Sequence, residues 1–317
     1  MTPEVIRLGT RGSALARWQT DHVAALLREK YPECRVEPTI INTKGDQILD
    51  KPLPSIGGKG LFTEELEAAL HAGSIDAAIH SLKDLPTEDV DGLVHRPVGE
   101  RAPVNDVLIS RTGAKLDDLP QGAVIGTSSR RRAAQLLHRR PDLKFIDIRG
   151  NVQTRIKKVR DANGPYDATL LAQAGIERLG MAHEINQVLP LDVLLGAPGQ
   201  GAIAAQSQAG SKTAGLLAVL VKYETLLPVI AERAFLATLQ GGCSVPVAAH
   251  GTLHGNQLTL RARVTAVDGS KQIEIERQTV INLLNGHHEY RARQLGEQAA
   301  QEALEKGAGE ILRAVLS

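Results

Sequence analysis

Apolar and polar positions switch between a two-residue and a three-to-four-residue period along the first half of the chain, and each switch predicts an element. Val5–Leu8 predicts a short strand that stops at Gly9. Ser13 then predicts a cap for a helix reaching about Arg28, with Leu15, Trp18, His22 and Leu26 at helical spacing and Trp18 a core candidate. Pro32 ends that helix, and Val36–Asn42 predicts a second strand. A loop with Pro52, Pro54, Gly57, Gly58 and Gly60 leads to a helix opening at Thr63, with Glu64 and Glu65 in its first turn and Gly73 at its end. Ile75–His80 predicts a third strand. This rhythm is that of a mostly parallel sheet covered by helices.

The pattern restarts after about residue 104. Val124–Gly126, Phe145–Ile148 and Ala168–Leu171 predict strands, and Ser129–Leu137 and Asn151–Val159 predict the helices between them. Leu195–Gly201 predicts a crossing back to the first domain. After Thr225 the texture changes. Helical Ala231–Leu239 precedes strands near Val245–His250, Leu258–Val264 and Ile273–Val280, with turns at His254–Asn256 and Asp268–Ser270. A helix follows from about His288 to Lys306, and Gly307 and Gly309 break the final helical stretch. The expected fold class is α/β: two similar α/β domains, resembling a hinged anion-binding protein, plus a C-terminal α+β domain. The expected boundaries are 1–100 with 198–220 for the first, 104–195 for the second and 224–317 for the third.

Composition narrows the picture. Hydrophobic residues make up 42% of the 317 and aromatics only 3%, so the cores must be built from Leu, Val, Ile and Ala. Lys plus Arg is 37 against 36 Asp plus Glu, a formal charge of +1 that favours neither nucleic acid nor a membrane surface. No run of apolar residues is long enough for a transmembrane helix. The first residues lack the pattern of a signal peptide. Cys34 and Cys243 are too few for a disulfide framework, and a cytoplasmic location is expected. Charge is uneven locally. Residues 128–160 hold eleven Lys or Arg against two acids, a net of +9, while residues 61–91 hold eight acids against Lys83.

The sharpest local signal is Gly126-Thr-Ser-Ser-Arg-Arg-Arg132, where a strand hands over to a helix and free N–H groups, hydroxyls and the helix dipole suit an anion. Arg130–Arg132 oppose that dipole unless an anion is bound there; the bland reading is a solvated basic face capped by Ser129. Arg149-Gly-Asn-Val-Gln-Thr-Arg155 repeats the device, with Asn151 as cap and two arginines whose forks suit carboxylates. Arg11-Gly-Ser13 closes the first strand in the same way. Lys59 sits between Gly58 and Gly60 in a loop that lacks the spacing of a nucleotide P-loop. His80-Ser-Leu-Lys-Asp84 puts Lys83 and Asp84 just past a strand, either as a surface pair or as a proton-handling group. Gly241-Gly-Cys243-Ser places a thiol in a loop before a strand, a potential nucleophile or a small buried hydrophobe. Cys34 reads as structural, and no His, Cys or acidic spacing supports a metal.

Taken together, seven stretches resemble the hydroxymethylbilane synthase, or porphobilinogen deaminase, family. They are Arg11-Gly-Ser-Ala-Leu-Ala, the run from Lys59 to Glu67, His80 to Thr87, Gly126-Thr-Ser-Ser, Arg149 to Arg155, Gly199-Gln-Gly-Ala202 and Gly241 to Pro246, in the family order. The resemblance implies condensation of four porphobilinogen molecules head to tail, with release of ammonia and hydrolytic release of linear hydroxymethylbilane. It also implies a dipyrromethane cofactor joined by a thioether to Cys243, with Asp84 as the catalytic carboxylate. It assigns Lys83, Thr127, Ser129, Arg131 and Arg132 to cofactor binding, and Arg11, Ser13, Arg149, Asn151, Arg155 and Arg178 to substrate binding. Lys59 falls in the family's loop over the cleft. A monomer with a small-molecule substrate, and without nucleic acid or membrane, is the family expectation. Two positions depart: Gln206 stands where the family usually carries Glu, and Arg130 where Leu is common. A hinged binder of organic anions and an RNA-binding module are the other readings. The binder needs neither Cys243 nor Asp84, and the basic stretch has only Phe145 for base stacking.

Overall fold

The computed structural model describes residues 4–47, 63–88, 90–240, 245–284 and 286–316. It opens on β1 (Val5–Thr10) and α1 (Ala14–Lys30), followed by β2 (Arg35–Ile40), a short α2 (Lys44–Gln47), α3 (Glu64–His71), β3 (Ala77–Ser81) and β4 (Leu93–Val98). Next come β5 (Asp106–Ser110), β6 (Val124–Gly126), α4 (Arg130–Arg139), β7 (Lys144–Ile146), α5 (Val152–Arg160), β8 (Ala168–Ala172), α6 (Gln173–Arg178) and β9 (Gln187–Val188). The chain ends through β10 (Ile203–Gln208), α7 (Lys212–Ala218), α8 (Tyr223–Thr238), β11 (Val247–His254), β12 (Gln257–Thr265), β13 (Gln272–Val280), α9 (His288–Glu305) and α10 (Ala308–Leu316).

Among the described residues there are two five-stranded sheets and one three-stranded sheet. The first runs β2-β1-β3-β10-β4, with β1 parallel to β2 and β3, and β10 antiparallel to β3 and β4. The second runs β7-β6-β8-β5-β9, with β6 parallel to β7 and β8, and β5 antiparallel to β8 and β9. The two share one arrangement, each with four strands running one way and a reversed strand inserted between the third and the last. The expectation of two similar α/β domains is met, although each sheet is mixed rather than mostly parallel. The third sheet is an antiparallel meander, β11-β12-β13, accompanied by α9, which makes the C-terminal region α+β.

Helix α1 shows how the sequence pattern translates. Ser13 caps it, its Oγ accepting from the Ala16 N–H at 3.3 Å. The predicted stripe is displaced, however, because the buried positions are Ala16, Gln19, Thr20, Val23, Ala24 and Leu27. Two polar side chains sit on that face because each finds a partner: Gln19 Nε2 donates to Ser81 Oγ at 2.9 Å, and the Thr20 hydroxyl to the Ala16 carbonyl at 3.1 Å. Trp18 lies at the margin of the core formed by Ile6, Leu8, Val23, Leu27 and Val36, its ring stacked on His22 at 5.2 Å. Helix α8 likewise starts earlier than Ala231. It runs through Pro228, which reads as a breaker in sequence but is carried by burial of Leu226, Leu227 and Val229 around it.

The chain forms two compact units, one from described residues up to 102 and from 201–226, the other from 103–200 and from 227 onward. The meander thus groups with the second α/β sheet. Glu232 on α8 shows one cause. Fully buried, it accepts from the Gly199 N–H at 2.7 Å and from the Gly251 N–H on β11 at 2.6 Å. Among the described residues no single helix is long and apolar enough to cross a membrane.

Candidate active site

In the first unit, parallel pairing of β1 and β3 puts their carboxyl ends side by side, where ligands of open α/β sheets bind. Arg11 and Ser13 follow β1, and a 3₁₀ turn, Leu82–Asp84, follows β3. That turn is pinned by the Leu82 N–H donating to the Ala202 carbonyl at 3.0 Å and the Leu85 N–H to Leu82 at 3.1 Å. A pocket results, lined by Arg11, Ser13, Gln19, Thr63, His80, Ser81 and Asp84. Asp84 is exposed, free to meet a ligand, while Lys83 beside it is half-buried. The pocket therefore combines a cation, hydroxyls and an accessible carboxylate.

His80 is a member of this pocket that its sequence motif did not single out. Burial pushes its imidazole down to about 4, with the Arg11 cation opposing protonation further, so the ring is neutral at pH 7. Gln206, also buried, reaches Glu67 Oε1 through its Nε2 at 3.5 Å. Gln19 and Thr63 were missed as pocket residues too. Gln19 could be found only through its bond to Ser81, a partner that helical spacing cannot supply.

In the second unit the carboxyl ends of β6, β7 and β8 carry the other candidate groups. Ser129 caps α4, its Oγ accepting from the Arg132 N–H at 3.4 Å, and Thr127 Oγ1 accepts from the Ser129 N–H at 3.2 Å. Arg131 and Arg132 do not project from that cap as a solvated face. They are 5% and 6% exposed, and both clasp Asp106 at the start of β5. Arg131 Nη2 reaches Asp106 Oδ2 at 2.7 Å and its Nη1 reaches the Leu195 carbonyl at 2.6 Å. Arg132 Nη2 reaches Asp106 Oδ1 at 2.7 Å and its Nη1 the Leu170 carbonyl at 2.9 Å. Asp106 offsets one of the two charges. It is itself steadied by Gln200 Nε2 at 3.1 Å, and neither residue stood out in the sequence as part of this cluster. Arg130 turns elsewhere, its Nη1 donating to the Val315 carbonyl at 3.4 Å.

Asn151 caps α5, accepting from the Thr154 N–H at 2.9 Å, after Gly150 at φ +113° makes a turn that a side chain would strain. Arg155 Nε folds back onto the Gly150 carbonyl at 2.8 Å, and Arg149 is half-buried beside it. Arg178 ends α6, and burial pushes its guanidinium down to about 10, still charged at pH 7. Lys59 and Cys243 lie outside the described residues, Cys243 falling between α8 and β11. Cys34 is within the first core. It is 4% exposed among Ile6, Leu27 and Val36, and burial pushes its thiol up.

Two family models match in succession. The porphobilinogen deaminase dipyromethane cofactor binding domain matches residues 6–215, and the porphobilinogen deaminase C-terminal domain matches residues 226–305. The chain belongs to the porphobilinogen deaminase family. A porphobilinogen deaminase from Geobacter metallireducens is 45% identical over 316 residues, covering 99% of this chain and 96% of that one. Another from Pelotomaculum thermopropionicum is 46% identical over 312 residues, covering 97% and 96%. A third, from Pelobacter propionicus, is 43% identical over 316 residues, covering 99% and 98%. The match to porphobilinogen deaminases thus spans both α/β sheets and the C-terminal meander.

Proposed function

We propose that the chain condenses four porphobilinogen molecules head to tail on a dipyrromethane primer, releases ammonia at each addition, and frees linear hydroxymethylbilane by hydrolysis. The observation that carries the reading is the pocket at the ends of β1 and β3, where an accessible Asp84 stands with Arg11 and Ser13. Porphobilinogen brings an acetate, a propionate and an aminomethyl group. Arg11 and Ser13 suit the carboxylates, and Asp84 suits proton delivery to the departing amine and stabilisation of the cation left behind.

Dipyrromethane carries four carboxylates, and the second unit offers the donor set such a group needs. The α4 N-terminus with Thr127 and Ser129, and the Arg131–Arg132 pair, follow β6; Arg149, Asn151 and Arg155 follow β7; and Arg178 ends the helix that follows β8. We assign Thr127, Ser129, Arg131, Arg132 and Lys83 to the cofactor and the remainder to the growing chain. When bound, the group would supply a free pyrrole α-carbon, at the end away from the tether, on which the growing chain begins. Cys243 is taken as the tether. Cys34 is unsuited, since a bulky adduct there would open the core of the first sheet. The chain is taken as a cytoplasmic monomer.

The test is Asp84→Asn, which keeps size and removes both the proton and the charge. Porphobilinogen consumption should fall by about 100-fold or more while circular dichroism stays unchanged. A folded variant turning over near the wild-type rate would refute the role of Asp84.

A further inference from the structure

One buried amide in the second unit has every hydrogen-bonding capacity filled. Gln135 on α4 is 2% exposed. Its Nε2 donates to the Arg131 carbonyl and to the Leu195 carbonyl, each at 3.2 Å. Its Oε1 accepts from the Leu195 N–H at 2.9 Å and from Arg263 Nη1 at 2.8 Å. Two donors and two acceptors are all that a side-chain amide possesses. No aliphatic or acidic side chain of this size reproduces the set.

The partners are not scattered. The Leu195 carbonyl that Gln135 holds is the same one that receives Arg131 Nη1 at 2.6 Å. Arg263 comes from β12 of the C-terminal meander. It is 4% exposed, and its Nη2 donates to the Asp192 carbonyl at 3.1 Å and pairs with Glu274. A continuous path therefore runs from β12 through Arg263, Gln135 and the Leu195 peptide to the Arg131 guanidinium. The other end of that guanidinium is fixed by Asp106.

We propose that Gln135 and Arg263 are positioning residues that set the place of the Arg131 guanidinium, coupling the C-terminal meander to the arginine pair. The consequence for turnover rests on the reading above, in which Arg131 holds a carboxylate of the cofactor. Loss of Gln135 frees the Leu195 peptide and leaves Arg263 short of an acceptor. Arg131 then keeps its charge but not its position, and a misplacement of this kind slows catalysis without removing a reacting group.

Two measurements separate the relay from the reading it rests on. In cofactor-free protein, the unfolding midpoints of R131K, Q135M and R131K/Q135M form a cycle that needs no activity. The double variant should lose less than the sum of the singles, because both act on the Leu195 carbonyl. Additive losses overturn the relay whatever the enzyme catalyses. In cofactor-loaded protein, Q135M should lower kcat about 10-fold and leave KM for porphobilinogen within about 2-fold. Intermediates formed with limiting porphobilinogen should stall at the same length as in R131K. R263M, which removes the outer link together with the bonds to Asp192 and Glu274 but leaves Gln135 on the Leu195 peptide, should show a smaller loss of kcat with the same stall, and R263K should recover part of it; this pair serves if Q135M fails to fold. A folded Q135M or R263M that is merely less stable, with wild-type kcat and adduct distribution, overturns the positioning role. If instead the cycle is non-additive while R131K itself leaves the adduct distribution unchanged, the relay stands and the cofactor role of Arg131 falls.

Discussion

The two α/β sheets share a strand order and use their carboxyl ends differently. At the first, Arg11, Ser81 and Asp84 border a pocket in which Asp84 is exposed. At the second, Arg131 and Arg132 turn inward and spend part of their hydrogen-bonding capacity on Asp106 and backbone carbonyls. The same topology thus supplies one site whose charged group meets solvent and another whose charges are preset inside the protein. An accessible acid suits proton transfer to a substrate that comes and goes. A buried, braced pair suits a ligand that stays, since its position is fixed before the ligand arrives. At the second sheet the bracing comes from one carboxylate, Asp106 at the start of β5, which pairs with both arginines.

Asp106→Asn should be the most damaging change to the second sheet. It strips the shared counter-ion from two buried guanidiniums and should lower unfolding stability by about 3 kcal/mol or more, measured by urea denaturation. Asp76→Asn is the control in the first unit, where Asp76 receives Arg7 Nη2 at 2.9 Å but both side chains are partly exposed. That change should lower stability by about 1 kcal/mol or less. Equal losses would show that the second arginine cluster is no more buried in energy than a surface pair.

His80 makes the stability of the first unit depend on pH. Its folded value, about 4, lies below the ordinary imidazole value of about 6.5, so the unfolded chain binds a proton that the folded chain refuses. This contribution to stability is fully present above pH 6.5 and declines as pH falls from there toward 4. His80→Asn should flatten the stability profile in that window and change it least at neutral pH. An NMR titration placing the His80 midpoint near 6.5 in the folded protein would contradict the buried, neutral ring.

Much of this was legible in the chain itself, because the signals were local. Ser13, Ser129 and Asn151 each stand one residue before a helix and each accepts the expected N–H bond. Gly73 takes the left-handed turn its place after α3 demands. What escaped depends on partners distant in sequence. Arg131 and Arg132 look like an open anion clamp until Asp106, at the start of β5, is placed beneath them. The buried face of α1 was misjudged because Gln19 is polar, and only Ser81 makes its burial tolerable. Strand β10 was not recognised because Ala204, Ala205, Gln206 and Ser207 carry neither bulk nor alternation. It forms because β3 and β4 bracket it. Pro228 concealed the first turns of α8.

Intact mass under denaturing conditions reads out whether a dipyrromethane is tethered to Cys243. A thioether survives denaturation, so the protein, loaded with porphobilinogen if isolated without precursor, should exceed its sequence mass by two linked pyrrole units. Peptide mapping should place the addition on the peptide containing Cys243, and it should vanish in C243S and persist in C34S. A folded protein that takes up no adduct after loading, or an adduct that maps to Cys34, would contradict the tether.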